Sequence, residues 1–230
     1  MIINYTYVSG FFEVLAALVG VLLLKKYKAT YTRYFIYFLI YVVFVEIVAM
    51  YPRYVNTIDF LKPIQKTRFY SNYWWYVIFW EIGSACFFSF YFQKTLKTKR
   101  YKSILKYLRY VFIIASIVVI ITDLDKLFIY QFSTIQYFNT VMILLCASFY
   151  FIEALRSERL LTFSKSMGFY VSVALFIWWL VTTPMNIYSK YYNADDMDFV
   201  NLNWAMMAFS NVFMYSVFAF GLIVSKPEKQ

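Results

Sequence analysis

The stretch Tyr73 to Gln93, YWWYVIFWEIGSACFFSFYFQ, holds a single acidic or basic side chain, Glu81, in an otherwise apolar and aromatic run. It is long enough to cross a bilayer core as a helix, which takes about 20 residues. Inside hydrocarbon every backbone N–H and C=O must be paired, so only helices and closed barrels span it. The run lacks the in–out alternation of a barrel strand and therefore reads as a helix.

Six more runs of similar character occupy residues 8–24, 34–51, 105–122, 133–155, 167–188 and 201–224. The expected fold is all-α, a polytopic integral membrane protein whose 230 residues form a single bundle of seven transmembrane helices. A hydrophobic content of 63% and a mean hydropathy of +0.60 fit that class better than a soluble domain. The N-terminus has no basic region before its apolar run, so it reads as a retained first helix, not a cleaved signal. The fourth run is short unless it starts near Leu105 and lets its lysines snorkel. The connection from Arg53 to Arg68 is expected to lie partly on the membrane surface.

A net charge of +10 could by itself point to nucleic acid, but the charges are distributed as in a membrane protein. Sixteen of the 22 Lys and Arg residues fall in the connections after runs one, three and five and in the C-terminal tail. The positive-inside rule then puts the N-terminus outside and the C-terminus in the cytoplasm, with Asp123, Asp125, Asp195, Asp196 and Asp198 outside. The third connection, with Lys94, Lys97, Lys99, Arg100, Lys102, Lys106 and Arg109, becomes a basic cytoplasmic surface. It attracts anionic lipid heads, and a protein partner in the cytoplasm or membrane is the sharper alternative. The expected location is a bacterial inner membrane, and nucleic acid is not an expected partner.

Three carboxylates interrupt the apolar runs: Glu13, Glu46 and Glu81. Counted from the predicted helix ends at 1.5 Å per residue, all three lie roughly 7–12 Å below the outer surface. A charged carboxylate at mid-helix costs about 2.5–3.5 kcal/mol on insertion scales. Three at one level imply a shared water-filled pocket or bound protons, and so a cation, amine or proton site. The competing expectation is that each hydrogen-bonds a Tyr, Ser or Trp on a neighbouring helix and holds the bundle together. Asn211 in the seventh run is a further candidate for lining the pocket. Pro184 is a candidate kink in the sixth run, near its outer end. Glu153 beside Arg156 reads as a surface ion pair of small energetic worth. Trp74 with Glu81 has the same spacing as Trp204 with Asn211, a weak sign of an internal repeat.

The chain has no histidine, which removes histidine-ligated haem, histidine metal sites and histidine general bases. No catalytic residue or metal ligand set is discernible, and an enzyme is not expected. Cys86 and Cys146 sit in apolar runs and read as packing residues.

Seven helices with the N-terminus outside resemble the microbial rhodopsins in topology. That resemblance would imply a lysine in the seventh helix for a retinal Schiff base. Asn201 to Val224 contains none, so no retinal is expected and no cofactor is implied. In size the chain also resembles the small seven-helix sugar and vitamin transporters, but it lacks a Pro-Gln dipeptide. The functional expectation is a receptor-like or sensory membrane protein with an outward polar pocket and basic cytoplasmic loops. The alternatives are a small-solute or cation transporter using Glu81, and a non-catalytic subunit of a membrane assembly.

Overall fold

The structure, a computed structural model, describes residues 2–156, 165–188 and 197–227. Asp195 and Asp196 lie outside the described residues. Seven long helices account for most of the described chain: α1 (Ile2–Leu22), α2 (Thr32–Ala49), α3 (Tyr73–Thr95), α4 (Lys99–Thr122), α5 (Ser133–Arg156), α6 (Met167–Tyr188) and α7 (Met197–Val224). Each is long and apolar enough to cross a membrane, and the chain reads as a multi-pass integral membrane protein.

The outward face of the fold fits that solvent. Leu22, Val111, Ile114, Ile121 and Phe209 are each more than half exposed, a heavy penalty in water but none in lipid. Hydroxyls within the helices are satisfied locally. Ser172, Thr182 and Ser210 donate to the carbonyl four residues earlier, at 2.8–2.9 Å.

Neighbouring helices follow a nearly closed ring. α1 packs along α7, α7 against α6, α6 against α5 and α5 against α3, while α2 closes the circuit between α1 and α3. α4 packs outside this ring on α3 and α5, which explains its long lipid-type face. Between α2 and α3 the space is filled by rings. Phe38 stacks on Phe87 at 4.0 Å, and Phe35 meets Phe218 of α7 edge-on at 4.9 Å. Lipid tails are as apolar as leucine, so close packing holds such interfaces together. On the α6–α7 side Gly221 fits against Tyr170, where an added Cβ would come within 2.6 Å of the tyrosine Cβ.

Two details exceed the sequence expectation. α4 starts at Lys99, so it is full length and its first turns carry the basic residues. α3 is not one regular helix: Tyr76–Ile82 is π-helical, between Tyr73–Trp75 and Gly83–Thr95. The connection after α2 forms two 3₁₀ segments, Asp59–Lys66 and Arg68–Tyr70. Arg68 pairs with Asp125 at 2.6 Å and ties it to the connection after α4.

Candidate functional site

α1 begins at Ile2, six residues before the strongly apolar run, because Asn4, Tyr5 and Thr6 join the helix. Glu13 therefore lies eleven residues into α1, about 16 Å from its start, deeper than counting from Val8 implies. It is 7% exposed. Its carboxyl is within electrostatic reach of the Tyr215 hydroxyl on α7 and of Glu46 on α2. Glu46 accepts a hydrogen bond from the Tyr76 hydroxyl at 2.8 Å. Tyr76 is the first residue of the π-helical segment of α3. Two carboxyls and two phenols, drawn from α1, α2, α3 and α7, thus form one polar cluster inside an apolar bundle. Arg53, two turns beyond Glu46, is within electrostatic reach of Glu46 and Tyr76.

Neighbouring contacts fix the cluster. The Trp75 indole donates to the Val45 carbonyl at 3.0 Å, one residue before Glu46. The Tyr41 hydroxyl donates to the Phe79 carbonyl at 2.7 Å. That approach requires Gly83, since a Cβ there would stand 2.9 Å from the Tyr41 oxygen. At the other end of α1, Tyr27 is fully buried and donates to the Leu222 carbonyl at 2.8 Å. Lys26 donates to the Leu222 and Ile223 carbonyls at 3.2 and 3.0 Å. A cation on the last carbonyls of α7 complements the negative end of its dipole.

Glu81 joins a different group. Its carboxylate accepts from the Asn139 amide of α5 at 2.7 Å, and that amide also lies 3.4 Å from the Ser84 hydroxyl. Glu81 itself lies in the π-helical segment of α3. Glu13 and Glu46 are within electrostatic reach of each other, while the polar contacts of Glu81 run to α5. Asn139 is completely buried and its carbonyl oxygen has no partner among the described residues.

Asn211 accepts from the Trp178 indole at 2.7 Å and so ties α7 to α6. α6 runs through Pro184 to Tyr188, and Pro184 itself is exposed. The matched spacings of Trp74–Glu81 and Trp204–Asn211 do not produce matched environments. The Trp74 indole donates to the Tyr51 hydroxyl at 3.2 Å, whereas Trp204 is 42% exposed.

In the basic connection, Lys94, Lys97, Lys99, Arg100 and Lys106 are exposed, and Lys102 and Arg109 are half-buried. Arg109 donates to Gln93 at 3.1 Å. Glu153 contributes here in a role its sequence position does not announce. Its two oxygens accept from the backbone N–H groups of Lys97 and Thr98, both at 2.7 Å. It anchors the α3–α4 connection to α5, while Arg156 turns to the Tyr101 hydroxyl at 3.5 Å.

Sequence reasoning overlooked Tyr76, Tyr215 and Asn139. Two tyrosines among 24 carry no distinguishing signal. Asn139, an amide inside an apolar run, did carry one. Among the described residues no three Cys, Asp or Glu side chains gather as a metal site would require. The cluster's chemistry is that of carboxyls and phenols, which exchange protons and coordinate hard cations through oxygen. Comparison with known proteins returns no match to a family model, to a curated protein or to a solved structure.

Proposed function

We propose that this multi-pass membrane protein is a receptor-like sensor whose stimulus is a small cation, the proton included, taken up at Glu13 and Glu46. The observation that supports this reading most is that the two lie within electrostatic reach of each other inside the bundle, Glu46 bonded to the Tyr76 phenol and Glu13 beside that of Tyr215. In a medium of low dielectric two carboxylates repel strongly unless positive charge stands between them. A proton or a monovalent ion supplies that charge. Each carboxyl also faces a phenol of another helix, Glu13 that of Tyr215 on α7 and Glu46 that of Tyr76 on α3. A change in its occupancy would therefore alter the α1–α7 and α2–α3 seams together. A cavity beside Arg68 and Asp125 and another beside Lys94 and Lys226 are lined by other residues than these glutamates. In this reading the N-terminus is outside and the basic connections meet a cytoplasmic partner.

A second reading, a cation or proton transporter, draws on Glu81. It lies in the π-helical segment with a fully buried amide partner, and irregular turns of this kind recur at functional sites. Proteoliposomes separate the two. The sensor reading expects Trp75 fluorescence to respond to pH or to Na⁺ or K⁺, with no flux above empty liposomes. It also expects the response to be lost in Glu13→Gln/Glu46→Gln. Flux abolished by Glu81→Gln would replace the sensor with the transporter.

A further inference from the structure

At the end of the bundle where α2, α4 and α6 begin, a cavity of about 240 Å³ opens between the α1–α2 turn, the α3–α4 connection and the start of α6. Four lysines line it: Lys94, Lys97, Lys102 and Lys226. They come from two parts of the chain more than a hundred residues apart. Thr30 and Ser166 add hydroxyls, and no carboxylate is among the lining residues. None of the four lysines is in a salt bridge among the described residues. Glu153 is next door, yet both its oxygens are engaged by the backbone of Lys97 and Thr98.

The backbone adds to the same sign. The first turns of α2 and α6 stand in the wall, and the N-terminal end of each helix carries partial positive charge. Lys94, Lys97 and Lys226 are exposed and Lys102 is half-buried, so like charges gather around the opening with no carboxylate in its lining to balance them. The cavity is several times the ~30 Å³ share of one water. It is large enough for a tetrahedral oxyanion with part of the group that bears it.

We propose that this cavity is a binding site for a phosphate group. It lies at the ends of spanning helices, where a lipid headgroup would sit, and the same chemistry would accept free phosphate. The site is distinct from the Glu13–Glu46 cluster and stands whether or not that cluster senses cations.

Native mass spectrometry of the detergent-solubilised full chain tests it with three probes: phosphatidic acid, phosphatidylcholine and inorganic phosphate. The proposal predicts retention of phosphatidic acid over phosphatidylcholine, reduced at least tenfold in Lys94→Gln/Lys226→Gln. The charge-preserving Lys94→Arg/Lys226→Arg should keep it, and Lys62→Gln/Lys66→Gln at the other end should not affect it. Retention of inorganic phosphate but not phosphatidic acid, with the same dependence on Lys94 and Lys226, would support the site and assign it to a soluble ligand. Retention of neither probe, or retention that survives Lys94→Gln/Lys226→Gln, would overturn the proposal.

Discussion

Gly83 sets how closely Tyr41 can approach the backbone of α3. An added methyl would stand 2.9 Å from the hydroxyl that donates to Phe79, so Gly83→Ala should push that hydroxyl off its acceptor at a cost of about 1 kcal/mol. Alanine also brings a helix-propensity gain of similar size over glycine. The two effects separate in a double-mutant cycle. Gly83→Ala should be close to neutral in the native background and stabilising by up to about 1 kcal/mol when Tyr41 is already Phe. Equal thermal shifts in both backgrounds would rule this contact out as the reason for the glycine. Asn139→Ala poses a sharper problem, since it strips the amide from the Glu81 carboxylate. Leaving a buried polar group unmatched costs about 1–3 kcal/mol, more if it is charged. Asn139→Ala should lower the unfolding midpoint, and Glu81→Gln should recover part of that loss, since a neutral amide costs less to leave unmatched than a group that can ionise. If Glu81→Gln deepened the loss, the pair would not be acting as a unit.

At the scale of elements, Glu153 fastens the α3–α4 connection to α5. Its carboxylate holds the backbone just ahead of the first turn of α4, as a capping side chain does for its own helix. Replacing such a group by alanine typically costs about 0.5–2 kcal/mol. Glu153→Ala should therefore speed hydrogen exchange at the amides of Lys97 and Thr98, with little change at the far end of α4. Unchanged exchange there would mean the contact does not hold the connection. All seven spanning helices were legible in the sequence, because lipid demands unbroken apolar runs and those leave a plain trace. The ends were less legible. α1 gains a turn and a half through Asn4, Tyr5 and Thr6, and α4 gains its first turns from a basic stretch that hydropathy does not count. The π-helical segment of α3, which packs against α2 and α5, left no trace in a hydropathy pattern that is apolar throughout.

Across the whole molecule, seven spans place the connection after α2 and the connection after α3 on opposite sides of the membrane. Single cysteines at Lys62 and at Lys97, in a background with Cys86 and Cys146 replaced by Ala, should react with an impermeant maleimide from opposite sides. The positive-inside distribution expects Lys62 outside and Lys97 inside. Reaction of both from one side would break the seven-span account. The candidate site was partly legible for the same reason as the helices, because a carboxylate in an apolar run is conspicuous. The depth of Glu46 and Glu81 along their helices carries no sign of their partners, which are Tyr76 of α3 for Glu46 and Asn139 of α5 for Glu81. The phenols of Tyr76 and Tyr215 were hidden among many tyrosines. The proposed role of the cluster is tested most directly by infrared difference spectroscopy of the protein in nanodiscs, as pH or Na⁺ is stepped. The account predicts a carboxyl band change in the wild type that is altered by both Glu13→Gln and Glu46→Gln and kept in Glu81→Gln. A spectrum with no carboxyl change, or one that both Glu13→Gln and Glu46→Gln leave intact, would contradict it.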